Sequence, residues 1–290
     1  MRIGKVTTEV GRPVLRYHGG KWRLAPWILS YFPSHRVYVE PYAGAASVLL
    51  RKPRSYAEVY NDLDGEIVNL FRILRDPAQA RELIRLVHLT PYARAEYELS
   101  YITAGDPIEQ ARRTLLRSFA GFSSVGATGK WRTGFRANVN HTWTTPAGDW
   151  ISVPGTLEQA VERLRGVVIE NEPAIDIIHR YDEEKALFYV DPPYVQTTRY
   201  IRWAGEAYKF EMTDEQHREL ADVLQSLSGY VVLSGYACDL YQELYPGWHR
   251  VEKDAHADGA KDRVEVLWLS PRTWKALQDG NGLPLFDGSR

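Results

Sequence analysis

A buried strand that runs into two prolines constrains the fold of this chain more than any other feature of its sequence. The uninterrupted apolar run from Ala186 to Val190 predicts a strand that is covered on both faces, as in a parallel sheet. Pro192 and Pro193 have no backbone N–H to offer to the ladder, so the chain must leave the sheet there. Because open α/β sheets bind ligands beyond the carboxyl ends of their strands, Asp191 is predicted to face a crevice.

The four residues after this strand, Asp191-Pro192-Pro193-Tyr194, combine groups that suit an unusual substrate. A carboxylate, a carbonyl followed by a residue without an N–H, and an aromatic ring can together bind a planar base that carries an amino group. The alternative is a simple strand exit with a surface aspartate and a packing tyrosine. The tetrapeptide alone leaves both interpretations open, because short motifs also occur by chance.

Further strand-like segments predict an α/β sheet that is interrupted by helices. Residues 77–122 show helical patterns without a convincing strand, and residues 123–155 have the composition of a long loop. We therefore predict a Rossmann-like α/β domain made of residues 1–75 and 156–290, with residues 76–155 as an inserted, mostly helical lobe. The predicted strands besides Ala186–Val190 are Val37–Glu40, Ala57–Tyr60, Val167–Glu170, Tyr230–Ser234 and Val264–Leu269.

Composition excludes several classes of protein. Cys238 is the only cysteine, which excludes an internal disulfide and any metal site built from several cysteines. Residues 1–10 contain no apolar run typical of a signal peptide, and no stretch of about 18 apolar residues predicts a membrane span. We expect a cytoplasmic protein without a membrane segment.

Positive charge is concentrated in the predicted lobe, although the formal net charge of the chain is only −1. No acidic residue lies between Glu109 and Asp149, and large aromatic residues are interleaved with the cations there. This pattern is typical of a surface that contacts nucleic-acid phosphates, although a helix with a solvated basic face would also produce it. The predicted DNA-contacting residues of this stretch are Arg112, Arg117, Lys130, Arg132 and Arg136.

A turn of small residues after the first strand predicts a nucleoside cofactor. The turn Gly44-Ala45-Ala46 is poorer in glycine than dinucleotide-binding turns, and no Walker-type lysine follows it, so a cofactor without phosphates fits best. Asp62, at the end of the second strand, is predicted to accept hydrogen bonds from ribose hydroxyls, and Glu40 to face a charged part of the cofactor. A helix cap for Asp62 and a surface position for Glu40 are the alternatives.

Taken in order, these motifs resemble the Dam-type adenine DNA methyltransferases, which use S-adenosylmethionine (SAM). The resemblance covers about residues 14–271. Tyr17 and His18 depart from the tryptophan and alanine of the family, and Ala45-Ala46 thins its glycine turn. The segments that carry the resemblance are Arg16-Tyr17-His18-Gly19-Gly20-Lys21, the stretch from Tyr38 to Val48, Asn61-Asp62, Asp191-Pro192-Pro193-Tyr194 and the last strand within Lys261–Pro271.

The resemblance implies methyl transfer from SAM to the 6-amino group of an adenine that is flipped out of duplex DNA, in one direct step and without a metal. It implies a catalytic role for Asp191, Pro192, Pro193 and Tyr194. Arg199, in the segment after this motif, is a further candidate for DNA contact, and a cognate restriction endonuclease is a candidate partner. The implied cofactor-binding residues are Tyr17, Gly19, Gly20, Lys21, Glu40, Pro41, Tyr42, Gly44, Asp62 and Asp191.

Other functions remain open at this point. Transfer to the 4-amino group of cytosine needs similar chemistry, although Asp191 favours adenine. Carbon-5 methylation of cytosine is disfavoured, because Cys238 lies beyond the catalytic strand and has no preceding proline. RNA as the substrate and a DNA-binding subunit without activity are also alternatives. A nicotinamide dehydrogenase is disfavoured by the glycine-poor turn.

Overall fold

A seven-stranded mixed sheet forms the centre of the computed structural model, which describes residues 10–122, 132–139, 144–196, 208–256 and 262–280. The strand order is β3-β2-β1-β4-β5-β7-β6. The first five strands in this order are parallel, whereas β7 is antiparallel to both β5 and β6. The strands are β1 Val37–Glu40, β2 Ala57–Asn61, β3 Val167–Glu170, β4 Ala186–Val190, β5 Tyr230–Gly235, β6 His249–His256 and β7 Asp262–Leu269.

The central strands agree with the sequence prediction, but the edge strand β6 does not. All five residues of β4 are buried, as expected of a strand covered on both faces. Prediction missed β6 because its sequence is mostly polar and charged. In the described sheet β6 pairs with β7 on one side alone, and an edge strand needs little apolar sequence.

Helices cover both faces of the sheet. Because successive strand residues point to opposite faces, Tyr38 and Leu187 belong to one apolar cluster and Val39 and Phe188 to another. The helices are α1 Ala25–Leu29, α2 Ser47–Arg51, α3 Gly65–Arg75, α4 Pro77–Leu89, α5 Arg94–Leu99, α6 Pro107–Ala120, α7 Pro146–Ile151, α8 Val153–Leu164, α9 Ala174–Arg180, α10 Asp214–Ser226, α11 Asp239–Leu244 and α12 Pro271–Gln278.

The described parts of the segment between β2 and β3 are largely helical, and the prediction of a loop over residues 123–155 is wrong for the last part of that range. Helix α7 and the beginning of α8 lie within residues 123–155, which have the composition of a loop. Both helices carry a proline in their first turn, and Thr145 caps α7 by accepting a hydrogen bond from the Gly148 N–H. These are start signals that composition alone does not reveal. Leu115 of α6 and Leu157 of α8 share an apolar cluster with Tyr38 of β1, so this segment packs on the sheet.

The topology creates a crevice between β1 and β4. These strands are neighbours, and the chain continues from β1 towards β2 and β3 on one side and from β4 towards β5 on the other. At such a switch point the loops after the two strands diverge and leave room for a ligand. Across the described ranges, no helix combines the length and apolar character that a membrane crossing requires.

Candidate active site

The carboxyl ends of three neighbouring strands meet at one cavity of about 400 Å³. Glu40 ends β1, Asp62 follows β2, and Asp191 follows β4; all three line this cavity. A cavity of this size is within the range that binds small molecules. The structure therefore brings together the acidic residues that the sequence predicted separately.

The turn after β1 is shaped by contact between Gly44 and Tyr17. Gly44 has a φ angle of +47°, and a Cβ atom there would lie 2.7 Å from Cε1 of Tyr17, so only glycine fits. The Gly44 N–H donates to Oδ2 of Asp62 over 2.8 Å, and the Tyr60 hydroxyl donates to the Gly44 carbonyl over 2.8 Å. The ring of Tyr17 is thereby held against the turn, at the cavity wall.

Asp62 is a partly buried carboxylate held by backbone donors. Besides the bond from Gly44, its Oδ1 accepts a hydrogen bond from the Asp64 N–H over 2.8 Å. Burial raises the pKa of Asp62 to about 6, although the backbone N–H groups of Asp64 and Gly44 oppose this shift. Asp62 is therefore fixed in orientation beside the cavity.

Asn61, part of the Asn61-Asp62 motif, makes contacts that the sequence did not predict. Its side-chain amide donates to the Pro41 carbonyl over 2.9 Å and to the Glu172 carbonyl over 3.0 Å, and its Oδ1 accepts from the Glu172 N–H over 3.0 Å. These bonds tie together the loops that follow β1, β2 and β3. No motif signals such a role, because it depends on which strands become neighbours.

Asp191 has one engaged and one unengaged carboxylate oxygen. Oδ2 lies 3.0 Å from Nζ of Lys21, whereas Oδ1 is buried and has no hydrogen-bond partner among the residues that the structure describes. Burial raises the pKa of Asp191, and the Lys21 ammonium opposes this shift. Buried polar atoms are normally hydrogen-bonded, so Oδ1 can accept a hydrogen bond from a ligand. An amino group in the cavity would supply the donor.

Lys21 and the glycine turn before it lie beside the carboxyl end of β4. Lys21 is 5 % exposed, and its ammonium also donates to the Gly19 carbonyl over 2.7 Å. Burial lowers its pKa, but the charges of Asp191 and Glu265 outweigh this effect, so the net pKa of Lys21 is raised. The ammonium is therefore charged at neutral pH and forms an ion pair with Asp191.

Tyr194 does not line the cavity, in contrast to Pro193. Its side chain is 6 % exposed, and the Lys21 ammonium lies 4.9 Å from its ring centroid. The ring of Tyr236 packs edge-on against it, with the centroids 4.7 Å apart, and the Tyr194 hydroxyl donates to Oε2 of Glu265 over 3.2 Å. Pro192 is buried. The stacking face predicted for Tyr194 is therefore occupied by protein in this structure.

Glu40 is buried at the end of β1, with 2 % of its surface exposed. It accepts a hydrogen bond from the Tyr38 hydroxyl. Burial raises the pKa of Glu40 to about 8, against the effects of the Tyr38 hydroxyl and the Leu49 backbone. Pro41 and Tyr42, which follow it, also line the cavity.

A second wall of the cavity comes from residues 208–212, which the sequence did not assign to the cofactor site. Lys209 lies with its Nζ 2.9 Å from Oδ1 of Asp64, and the rings of Tyr208 and His18 meet edge-on with centroids 5.0 Å apart. This wall therefore contacts both the glycine turn and the loop after β2. Across the described ranges, no group of three or more His, Cys, Asp or Glu side chains could hold a metal ion.

The structure corrects the prediction for two of the residues expected to contact DNA, because both are buried in ion pairs. Arg112, 7 % exposed, pairs with Glu96 and Glu109, and Arg117, 3 % exposed, pairs with Glu66. Their guanidinium groups are used inside the protein and are not presented to a ligand.

Of the other four residues predicted to contact DNA, two lie within the described part of the chain and two do not. Arg132 is exposed, with its guanidinium 5.5 Å from the ring centroid of Tyr101. Arg136 is half-buried, and its guanidinium donates to the Phe119 carbonyl over 3.0 Å. Lys130 and Arg199 lie outside the described residues.

Comparison with known proteins adds independent information. The family model of the D12 class N6 adenine-specific DNA methyltransferases matches residues 17–257. The "Type II methyltransferase M1.LlaDCHI" of Lactococcus lactis subsp. cremoris is 25% identical over 276 residues, which cover 86% of this chain and 90% of that protein. The "DNA adenine methylase" of Salmonella typhi is 27% identical over 246 residues, or 81% of this chain and 84% of that protein. The "DNA N-6-adenine-methyltransferase" of Escherichia phage P1 is 25% identical over 249 residues, or 78% of this chain and 31% of that protein.

Proposed function

The chain belongs to the family of D12 class N6 adenine-specific DNA methyltransferases, and from this premise we propose that the cavity between β1 and β4 binds SAM and that Asp191 orients the amino group of a flipped adenine. Membership confirms the family resemblance drawn from the motifs. It favours adenine over the 4-amino group of cytosine, and an enzyme over a silent DNA-binding subunit. The family implies SAM as the methyl donor and DNA as the substrate.

The chemistry of the cavity wall fits SAM. SAM carries a positive sulfonium centre and an ammonium group, and Asp62 and Asp191 give the wall negative charge. Glu40, whose pKa burial raises to about 8, would lose its proton beside the positive charge of the cofactor. We propose that Asp62 binds the ribose hydroxyls and that the ring of Tyr17 covers a flat face of the cofactor. Gly19, Gly20, Lys21, Pro41, Tyr42 and Gly44 complete the proposed cofactor site.

The unengaged Oδ1 of Asp191 is the observation that carries the proposed mechanism. The lone pair of an adenine amino group is delocalised into the ring, so the amine is a poor nucleophile. Hydrogen bonds from the amine to Asp191 and to the Pro192 carbonyl would localise the pair and aim it at the methyl group. SAM, when bound, supplies an electrophilic methyl group on its sulfonium.

We propose that transfer is direct and that Asp191, alone or through water, accepts the proton that the amine loses. The adenine must leave the duplex to reach Asp191. Pro193 lines the cavity, and we propose that it forms one wall of the site for the target base. Tyr194 can stack on the base only if its ring moves away from Lys21 or Tyr236, so we propose that DNA binding rearranges this contact.

Residues 76–155 are proposed as the target-recognition lobe, and residues 1–75 and 156–290 as the catalytic domain. Arg132 and Arg136 are the described cations of the acid-free stretch that we propose to contact phosphates. Lys130 and Arg199 stay predictions from sequence. We further propose that the enzyme acts in the cytoplasm of a bacterial or phage-infected cell, where a cognate endonuclease would be a partner.

Replacing both Arg132 and Arg136 with glutamine should weaken DNA binding much more than SAM binding. If each arginine neutralises one phosphate, the slope of log Ka against log salt falls in magnitude by up to about 2. Fluorescence anisotropy with a labelled duplex over a salt titration measures this slope. Arg272→Gln is a matched control. Arg272 donates to the carbonyl of Glu184, which precedes β4 and so lies at the end of that strand away from the cavity. An unchanged slope in the double variant would remove this surface from the proposal.

Expression in a methylation-deficient bacterial host, followed by single-molecule sequencing of the host genome, tests the proposed function. We expect N6-methyladenine at a defined sequence, and the same experiment reports that sequence. Methylation of the cytosine 4-amino group instead would contradict the adenine assignment. SAM binding without methylation of DNA or RNA would favour a silent subunit.

A further inference from the structure

We propose that Glu265 of β7 is a positioning residue for methyl transfer, because it balances the charge of Lys21 and so preserves the ability of Asp191 to accept a hydrogen bond from the target amine. The inference rests on the proposed function of Asp191. The inference goes beyond that proposed function, because it assigns a role to a residue of β7, a strand that contributes no recognised catalytic motif.

Glu265 reaches the catalytic residues across one strand. Its strand, β7, pairs with β5 rather than with β4, yet the Tyr194 hydroxyl donates to Oε2 of Glu265 over 3.2 Å. The other side of this contact is formed by Lys21, whose ammonium lies 4.9 Å from the centroid of the Tyr194 ring. A continuous set of contacts therefore runs from Glu265 through Tyr194 and Lys21 to Asp191.

The charges in this set do not cancel. One ammonium, that of Lys21, faces two carboxylates, those of Asp191 and Glu265, and both Lys21 and Tyr194 are nearly inaccessible to water. Charge interactions are stronger in such surroundings than in water. If Lys21 faced Asp191 alone, its positive charge would withdraw electron density from the carboxylate that must bind the amine.

The direction of the effect follows from the neighbours of Asp191. Burial raises the pKa of Asp191, Lys21 lowers it, Glu265 raises it again, and the nearby Tyr194 hydroxyl lowers it. Removing the charge of Glu265 should therefore lower the pKa of Asp191 and weaken it as an acceptor. Among the described residues, the other titratable groups that act on Asp191 or on its partners include Glu40 at the end of β1, Tyr189 on β4, Tyr194 after β4, Tyr208 on the second cavity wall and Tyr241 on α11.

Glu265→Gln tests the inference, because the amide oxygen of glutamine can still accept the Tyr194 hydrogen bond while the charge is lost. With saturating SAM and duplex DNA, the single-turnover rate constant should fall about five- to tenfold at its plateau, and the acid limb of its pH profile should move to lower pH. The Kd for SAM should stay within about twofold of the wild-type value. Glu252→Gln, on the neighbouring strand β6 and paired with Arg250, is the matched control and should behave as wild type.

A purely structural role predicts a different pattern. Glu265→Gln would then equal the wild type, Glu265→Ala would be slow, and neither would shift the pH profile; this pattern would overturn the inference. Carbon-13 NMR of the Asp191 carboxyl group, assigned with Asp191→Asn, gives a readout without turnover. We expect a lower pKa in Glu265→Gln, and an unchanged pKa would overturn the inference even if the wild type methylated no nucleic acid. Absence of methylation by the wild type would instead contradict the proposed function.

Discussion

Asp191→Asn is expected to lower the rate constant for methyl transfer by at least about 100-fold, the range found when a residue that orients or deprotonates a reacting group is lost. An amide has the shape of a carboxylate, but it carries no negative charge and is a weaker acceptor and base. The Oδ1 atom, which we propose binds the amine, would lose its negative charge and become a weaker acceptor. Single-turnover transfer from tritiated SAM to duplex DNA measures the rate constant.

The control for this prediction is Asp222→Asn, because Asp222 is an exposed carboxylate on α10. SAM binding, measured by calorimetry, should change far less in Asp191→Asn than the transfer rate does, since Asp62 and Glu40 remain in the cavity. Near-normal turnover by Asp191→Asn would require another residue to hold the amine. The catalytic assignment would then be wrong.

The positions of Glu40, Asp62 and Asp191 could be predicted from sequence because each lies at the end of a strand or directly after it. Local patterns define where β1, β2 and β4 stop, and parallel strands bring their carboxyl ends to one edge. This prediction needs only local sequence patterns, and no knowledge of contacts between distant segments. The α/β fold was predictable for the same reason.

The role of Glu265 was not predictable from sequence, because it depends on the order of the strands. β7 lies inside the sheet next to β5, and its partner β6 has a polar sequence that predicts no strand. Without the hairpin, the register of Glu265 relative to Tyr194 cannot be inferred. The ion pair between Lys21 and Asp191 is likewise a contact between distant segments.

The error over Arg112 and Arg117 has a specific physical cause. The stretch after Glu109 lacks acids, but helix α6 packs against segments that supply them. Glu96 comes from α5 and Glu66 from α3, and both pair with the arginines across helix contacts. Charge counted along the chain thus overstates charge presented at the surface.

Lys21→Met should have the second large effect, because it leaves the Asp191 carboxylate buried without its counter-ion. Burial would then raise the pKa of Asp191 without opposition from Lys21, so the carboxylate would retain its proton at higher pH than in the wild type. We expect slow methyl transfer near neutral pH and an acid limb of the pH profile that moves to higher pH. This shift is opposite in sign to that expected for Glu265→Gln, and a shift to lower pH would contradict the ion-pair interpretation.

The stability of Lys21→Met should also depend on pH in a defined direction. In the unfolded chain Asp191 loses its proton near pH 3.9, about the value for an unperturbed aspartate, whereas the folded variant keeps it to higher pH. Between these two pKa values the folded state binds more protons, so the free energy of unfolding falls as the pH rises. Above the pKa of Asp191 in the folded variant, the free energy of unfolding should be about 3 kcal/mol lower than that of the wild type, because one partner of a buried ion pair is missing.

Urea denaturation at about pH 5 and about pH 8 measures this dependence. Lys275→Met, at an exposed position on α12, should show no comparable loss at either pH. Equal destabilisation of Lys21→Met at both values would mean that packing of the lysine stem, and not the charge beside Asp191, accounts for the contribution of Lys21.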